Sequence, residues 1–214
     1  MRRMVDSGDR ACAMEVSSHA LVLGRADGIR FDVAAFTNLT QDHLDFHADM
    51  EDYYAAKRLL FAPAGSGVLL PGAAAVNVDD PYGARLAEEL RAMGSPPLIT
   101  FSASGTAGAD LTARDVGFDA TGSRFELIAG EERHAVTVPL PGHFNVENAL
   151  AALACARALG VDLGEATASL AEAEPVPGRM EPIDDGQSFG VLVDYAHTPD
   201  SLENVLEAAR RLTA

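Results

Sequence analysis

Among the sixteen Lys and Arg residues of this chain only one is lysine, Lys57, in the stretch DYYAAKRLLF of residues 52–61. An amine differs from a guanidinium in that burial readily lowers its pKa, leaving it neutral and nucleophilic. A neutral amine can add carbon dioxide to become a carbamate, which reverses its sign and provides oxygen ligands for a hard cation. Further candidates lie upstream. Glu15 sits near the end of ACAMEV (11–16), and NLTQDHLDFH (38–47) carries Asn38, Thr40, Asp42, His43, Asp45 and His47. His43 and His47 are four apart, a spacing that suits a zinc pair on a helix. No Cys or third His is near in sequence, and a polar loop beside Glu15 fits a magnesium site better.

These groups need elements to position them. In DMEDYYAAKRLLF (49–61), Asp49 can cap a helix, which puts Asp52 at the third helical position as a carboxylate version of a capping box. Met50, Tyr53, Tyr54, Leu60 and Phe61 then follow one helical face, and the absent member of that stripe, seven residues after Met50, is Lys57. A snorkelling stem is the plain alternative, but arginine snorkels equally well and serves everywhere else in this chain.

ACAMEV is expected as a buried strand, and its carboxyl end would place Glu15 where α/β sheets bind ligands. Ser17 or Ser18 can cap a short helix in SSHALVLG. FDVAAFTNL, GVLLPG, AAAVNVDD and PLITFS read as further strands, with a helix opened by Pro81 before the last. This alternation predicts an α/β fold with a mostly parallel sheet flanked by helices. Between about residues 108 and 140 the pattern changes to alternating apolar positions with turns at ATGS and AGEE, an antiparallel meander. Two helices follow, in NVENALAALACARALG and DLGEATASLAEAE. EPVPGR (174–179) is the candidate linker, and beyond it strand, loop and helix follow, with Thr198 as N-cap and Pro199 at the first helical position. The expected division is therefore 1–176 and 177–214, the second part holding one βα unit.

A net charge of −16 argues against a nucleic-acid surface, and no run of 18 apolar residues is present to span a membrane. Cys12 and Cys155 lie in small apolar surroundings and read as reduced core thiols, which points to the cytoplasm.

Taken together, MEVSSHAL, FTNLTQDHLDFHADMEDYYAAKRLLF, GHFNVENALAALA, GRME and DYAHTPDSLENVL resemble the Mur ligases of peptidoglycan synthesis. Within that family they look like the branch that adds the third peptide residue. The resemblance runs from about residue 2 to the end. It implies a central ATPase domain followed by the first βα unit of a Rossmann-like C-terminal domain. The implied chemistry is ATP-driven amide formation through an acyl phosphate. The implied partners are UDP-N-acetylmuramoyl-L-alanyl-D-glutamate, ATP, Mg2+ and a diamino acid, meso-diaminopimelate or L-lysine, acting on a monomer.

By position, the resemblance makes Lys57 the carbamylated lysine, with Glu15 and His43 as magnesium ligands and His43 catalytic beside Lys57. Ser17 and Arg25 would hold the UDP-muramoyl dipeptide, while Leu23 stands where some relatives carry a polar contact. Asn145 and Arg179 would touch ATP, and Asp194 and His197 lie in the second domain's nucleotide motif. For His143, Glu147 and Asn148 helix capping is the stronger reading.

The family's phosphate loop requires a lysine after glycine, whereas Lys57 follows Ala56. That loop is expected ahead of Met1 and the amino-acid-selecting motif beyond Ala214, which makes the chain an internal piece, inactive alone. A muramoyl-binding remnant and a folylpolyglutamate synthase are the rival readings; MEVSSH with DYAHTP argues against the latter. The unit 180–214, lacking a sheet to join, is expected to expose its apolar strand.

Overall fold

The computed structural model describes residues 2–41, 44–63, 65–119, 121–174, 176–183 and 185–212. Its elements are α1 (Arg2–Asp6), α2 (Ser18–Val22), β1 (Val33–Phe36), α3 (Met50–Arg58), β2 (Ala73–Asn77), α4 (Pro81–Met93) and β3 (Leu98–Ser102). The meander β4 (Leu111–Asp119), β5 (Gly122–Ala129) and β6 (Glu132–Val138) comes next. The chain continues through α5 (His143–Ala158), α6 (Leu163–Ala171), β7 (Glu181–Ile183), β8 (Val191–Val193) and α7 (Pro199–Leu212).

One six-stranded sheet runs in the order β1-β2-β3-β4-β5-β6. The first three pairings are parallel and the last two antiparallel, which is the expected α/β sheet with its meander. Every residue of β2 is buried, as befits a central parallel strand covered on both faces. Strand alternation divides the core. Ala75 faces the layer of α5 and α6 with Phe101, Leu127 and Leu150, while Ala74 and Val76 face α3 and α4 with Tyr54, Phe61, Leu86 and Leu90. Small side chains on β2 let the helices approach closely. At Gly83 the approach is closest, since a Cβ there would lie 1.9 Å from the carbonyl oxygen of Asn77.

Helix ends follow the sequence signals. Asp49, Asp80 and Asp162 cap α3, α4 and α6 by accepting from the backbone N–H three residues on, and Pro81 opens α4. Gly94 closes α4 in the left-handed region at φ +67°. Thr198 caps α7 by accepting from Ser201 N at 3.2 Å.

Several expectations are corrected. ACAMEV forms no strand: residues 11–15 are exposed and without regular structure. The sheet ends at β1, and a segment that gains no ladder bonds has no reason to stay extended. Cys12 is therefore exposed rather than a core thiol. Cys155 does pack against the core, and burial pushes its thiol pKa up. GVLLPG is likewise a loop, with Val68 and Pro71 buried and Leu69 and Leu70 exposed. The helix predicted to reach Phe61 stops at Arg58 and ends in tighter turns, with Leu60 N bonded to Lys57 O and Phe61 N to Arg58 O. Finally, the segment after the linker is not a lone βα unit, because β7 pairs antiparallel with β8. Val191, Val193 and Phe189 of that hairpin region are nonetheless exposed, as expected of this unit.

Candidate functional site at the carboxyl edge

The carboxyl ends of β1, β2 and β3 are tied together by two consecutive carboxylates. Asp79 accepts hydrogen bonds from Ser102 Oγ (2.6 Å), Ala103 N (2.7 Å), Ser104 N (3.0 Å) and Thr106 Oγ1 (2.7 Å). Burial acts to raise its pKa, but those four donors outweigh burial and hold the carboxyl below its usual value. Asp80 accepts from Leu39 N at 3.0 Å and from Gly83 N at 2.9 Å, joining the loop after β1 to the start of α4. Sequence reading took these residues only as the end of a strand. The available signal was a pair of acids between an apolar strand and a proline-initiated helix.

Above this edge lies a cleft of about 360 Å³ lined by Asn38, Thr40, Asp79, Asp80, His143 and Glu147, with Asn204 and Glu207 of α7 on its far side. Burial raises the pKa of Glu147; nearby His143 opposes this, and Asp79 and Asp80 add to it. His143 Nε2 is 3.7 Å from Glu147 Oε1. Asn145, expected to touch ATP, turns inward on the same helix turn. Its Nδ2 donates to the Pro141 carbonyl at 2.8 Å, and it is 7% exposed.

A second construction joins α2 to α3. His47 is 3% exposed, with Nδ1 at 3.1 Å from Asp52 Oδ2 and Nε2 at 2.8 Å from Ser18 Oγ. A carboxylate can only accept, so Nδ1–H donates to Asp52, while Nε2 shares a hydrogen bond with the Ser18 hydroxyl, a group able to donate or accept. The order Ser, His, Asp is that of a hydrolytic triad, but Ser18 is 1% exposed and no substrate reaches it. With both ring nitrogens engaged, His47 is also not half of a zinc pair. Asp52, expected to complete a capping box, instead accepts from Ala48 N at 3.3 Å as well as from His47.

The His47 ring stacks on Tyr53, with centroids 4.9 Å apart and 17° between planes. One turn on, Lys57 Nζ lies over the same tyrosine ring, 5.2 Å from its centroid. Lys57 is partly buried and occupies the expected gap in the stripe of Tyr53, Tyr54, Leu60 and Phe61, which are all buried. Its neighbour Arg58 pairs with Glu89, which also accepts from Tyr54 Oη at 3.1 Å and Arg85 Nε at 3.1 Å, pinning α3 to α4.

Of the remaining expected site residues, Glu15 is exposed on the loop before α2, not at a strand end, because that strand does not form. His43, with Asp42, lies outside the described residues. Among the described residues no three His, Cys, Asp or Glu side chains gather as a metal centre. The donor chemistry of Glu15 and Lys57 suits a hard cation once Lys57 is a carbamate, since an ammonium has no lone pair to offer. Ser17 caps α2 by accepting from Ala20 N at 3.2 Å, and Arg25 is exposed just past that helix. Arg179, Asp194 and His197 come together around the β7–β8 hairpin. The Arg179 guanidinium is 5.3 Å from the Tyr195 ring centroid, Asp194 accepts from Met180 N at 2.8 Å, and His197 Nδ1 is 2.9 Å from Tyr195 O. No helix among the described residues is long and apolar enough to cross a membrane.

Residues 1–156 match the family described as Mur ligase middle domain, and residues 178–214 match the Mur ligase glutamate ligase domain. The UDP-N-acetylmuramoyl-L-alanyl-D-glutamate--2,6-diaminopimelate ligase of Streptomyces avermitilis is 47% identical over 211 residues, covering 98% of this chain and 40% of that protein. The ligase of the same name from Geobacillus kaustophilus is 46% identical over 213 residues, covering 99% and 42%. A solved structure of a ligase of that name superposes with a TM-score of 0.76 at 35% identity, covering 92% of this chain and 39% of the other. The chain thus spans about two fifths of the length of the curated relatives it matches. It belongs to the Mur ligase family.

Proposed function

We propose that this chain carries the muramoyl-dipeptide and phosphoryl-transfer region of an ATP-dependent amide ligase. That ligase joins 2,6-diaminopimelate to UDP-N-acetylmuramoyl-L-alanyl-D-glutamate in peptidoglycan synthesis. The observation that carries the reading is 47% identity, along 98% of the chain, to a relative bearing that name. It favours diaminopimelate over L-lysine. The partly buried position of the sole lysine on α3 supports it chemically.

In this reading the division falls at 1–176 and 177–214, supported by the family matches to 1–156 and 178–214. The D-glutamyl γ-carboxylate attacks the γ-phosphate of ATP to give an acyl phosphate, and the incoming amine then expels phosphate. Ser17 and Arg25 orient the dipeptide. Asn145, Arg179, Asp194 and His197 bracket the nucleotide, and Arg179 follows domain closure. His43 shares the catalytic role with Lys57, whose carbamate orients the carboxylate that is phosphorylated. Magnesium held by Glu15, His43 and the Lys57 carbamate would neutralise the phosphoryl oxygens. The protein acts in the cytoplasm.

The sequence contains no G-x-x-x-x-G-K-[ST], so these 214 residues alone turn over no ATP, and the muramoyl-dipeptide site is the part of the reading open to test on them. Calorimetric titration with UDP-N-acetylmuramoyl-L-alanyl-D-glutamate, with ATP absent, tests binding; saturable heat weakened by Arg25→Ala is expected. No heat at millimolar ligand contradicts the assignment of the muramoyl site. Dipeptide-dependent phosphate release that Lys57→Arg abolishes contradicts the inactivity of the isolated chain.

A further inference from the structure

We infer that His47 is a positioning residue, which fixes the placement of Lys57 and joins the α2 turn to α3 through one buried ring. Each link is on the molecule. Nε2 holds Ser18, the first residue of α2, and Nδ1 holds Asp52, in the first turn of α3. The ring's face lies flat on Tyr53, and the other contact of that tyrosine relevant here is Lys57 Nζ. His19 and Phe46 close the remaining edges, with ring centroids 5.9 Å and 4.9 Å from His47. A ring held at both nitrogens and on its face cannot rotate without breaking at least one contact. Tyr53 is 5% exposed and so has little room to move independently.

The consequence is mechanical. Ser17, at the cap of α2, and Lys57, one turn beyond Tyr53, lie on different elements, and the His47 contacts hold those elements in one relation. The inference rests on the ligase reading only for what Lys57 does; its placement by His47 is read from geometry alone. A polar residue at 3% exposure that binds two elements costs more to bury than a hydrophobe of equal size unless both its nitrogens are satisfied. Here both are.

The test uses the 214-residue chain and exploits its single lysine. Incorporation of lysine labelled with carbon-13 at Cε gives one side-chain resonance, and the Tyr53 ring current and ring-proton cross-peaks report its position. The wild type is expected to give one ring-shifted signal with cross-peaks to Tyr53. His47→Phe keeps the stack and loses both hydrogen bonds. It is expected to move that signal towards the value of free lysine and to lose the cross-peaks, while far-ultraviolet circular dichroism stays folded. His47→Gln, whose amide reaches the Nε2 position, recovers part of the shift. If His47→Phe does not fold, Ser18→Ala and Asp52→Ala each remove one bond and leave the ring in place, and each is expected to give a partial shift. An unmoved lysine signal in folded His47→Phe, or in both milder variants, overturns the inference. A signal that moves as expected in a chain that binds no muramoyl dipeptide leaves the placement standing and removes the ligase reading.

Discussion

Asp79 offers the most direct energetic test of how the carboxyl edge is built. Substituting Asp79→Ala removes the acceptor of four hydrogen bonds from residues 102, 103, 104 and 106. The donors do not lose equally. Ser104 and Thr106 are exposed, so water replaces the carboxylate there at little cost. Ser102 is fully buried and Ala103 is 5% exposed, so the Ala103 N–H and the Ser102 hydroxyl are stranded. A stranded buried donor costs ~1–3 kcal/mol. Taking ~1–1.5 kcal/mol for each, since the carboxylate is itself partly exposed, gives about 2–3 kcal/mol.

For a chain of this length that corresponds to a fall in Tm of about 5–10 °C. Urea denaturation followed by circular dichroism suits a chain without tryptophan, and the midpoint is expected to fall with an unchanged slope. The pH dependence carries a sign. The folded pKa of Asp79 lies below its ordinary value of 3.8, so its contribution is present above that value and is lost as pH falls through the folded pKa. The gap between wild type and Asp79→Asn therefore narrows below pH 3.8. A midpoint shift worth less than ~0.5 kcal/mol, the scale of an ordinary surface substitution, would mean that the three strand ends are held by something else.

Other predictions concern different parts of the frame. Gly83→Ala sets a methyl 1.9 Å from a backbone carbonyl of β2, so α4 must shift; a loss of about 2–3 kcal/mol, the upper range for overpacking, is expected by denaturant titration. Glu147→Gln acts in the opposite direction. The folded pKa of Glu147 is raised by burial, so its proton-linked stability is present below 4.5 and lost as pH rises. The variant should melt higher than wild type at pH 7 and close to it at pH 4, read by thermal denaturation. An equal Tm at both pH values would show that burial does not penalise the charged form of Glu147.

The sequence carried much of the fold because local signals agreed with tertiary demand. Asp49 and Pro81 announced helix starts, and the alternation from residue 111 onwards announced the meander. The interruption of the apolar stripe at Lys57 marks a partly buried amine. What failed was whatever depended on a distant partner. ACAMEV has strand composition but gains no ladder bonds, and composition cannot report that. The β7 strand has three residues, one of them proline, too few for alternation to register. His47 was read through its spacing from His43, whereas its role is set by Ser18, 29 residues away. Asp79 reaches donors 23 to 27 residues ahead, beyond any local window.

The claim on which the account turns is that the lone lysine amine of this chain becomes an anion. Carbon-13 spectroscopy in labelled bicarbonate with magnesium, on wild type and Lys57→Arg, addresses it without any turnover. A lysine carbamate carbonyl signal that is present in the first and missing from the second is the expected result. Identical spectra for the two proteins, with only the N-terminal amine reacting, would contradict it.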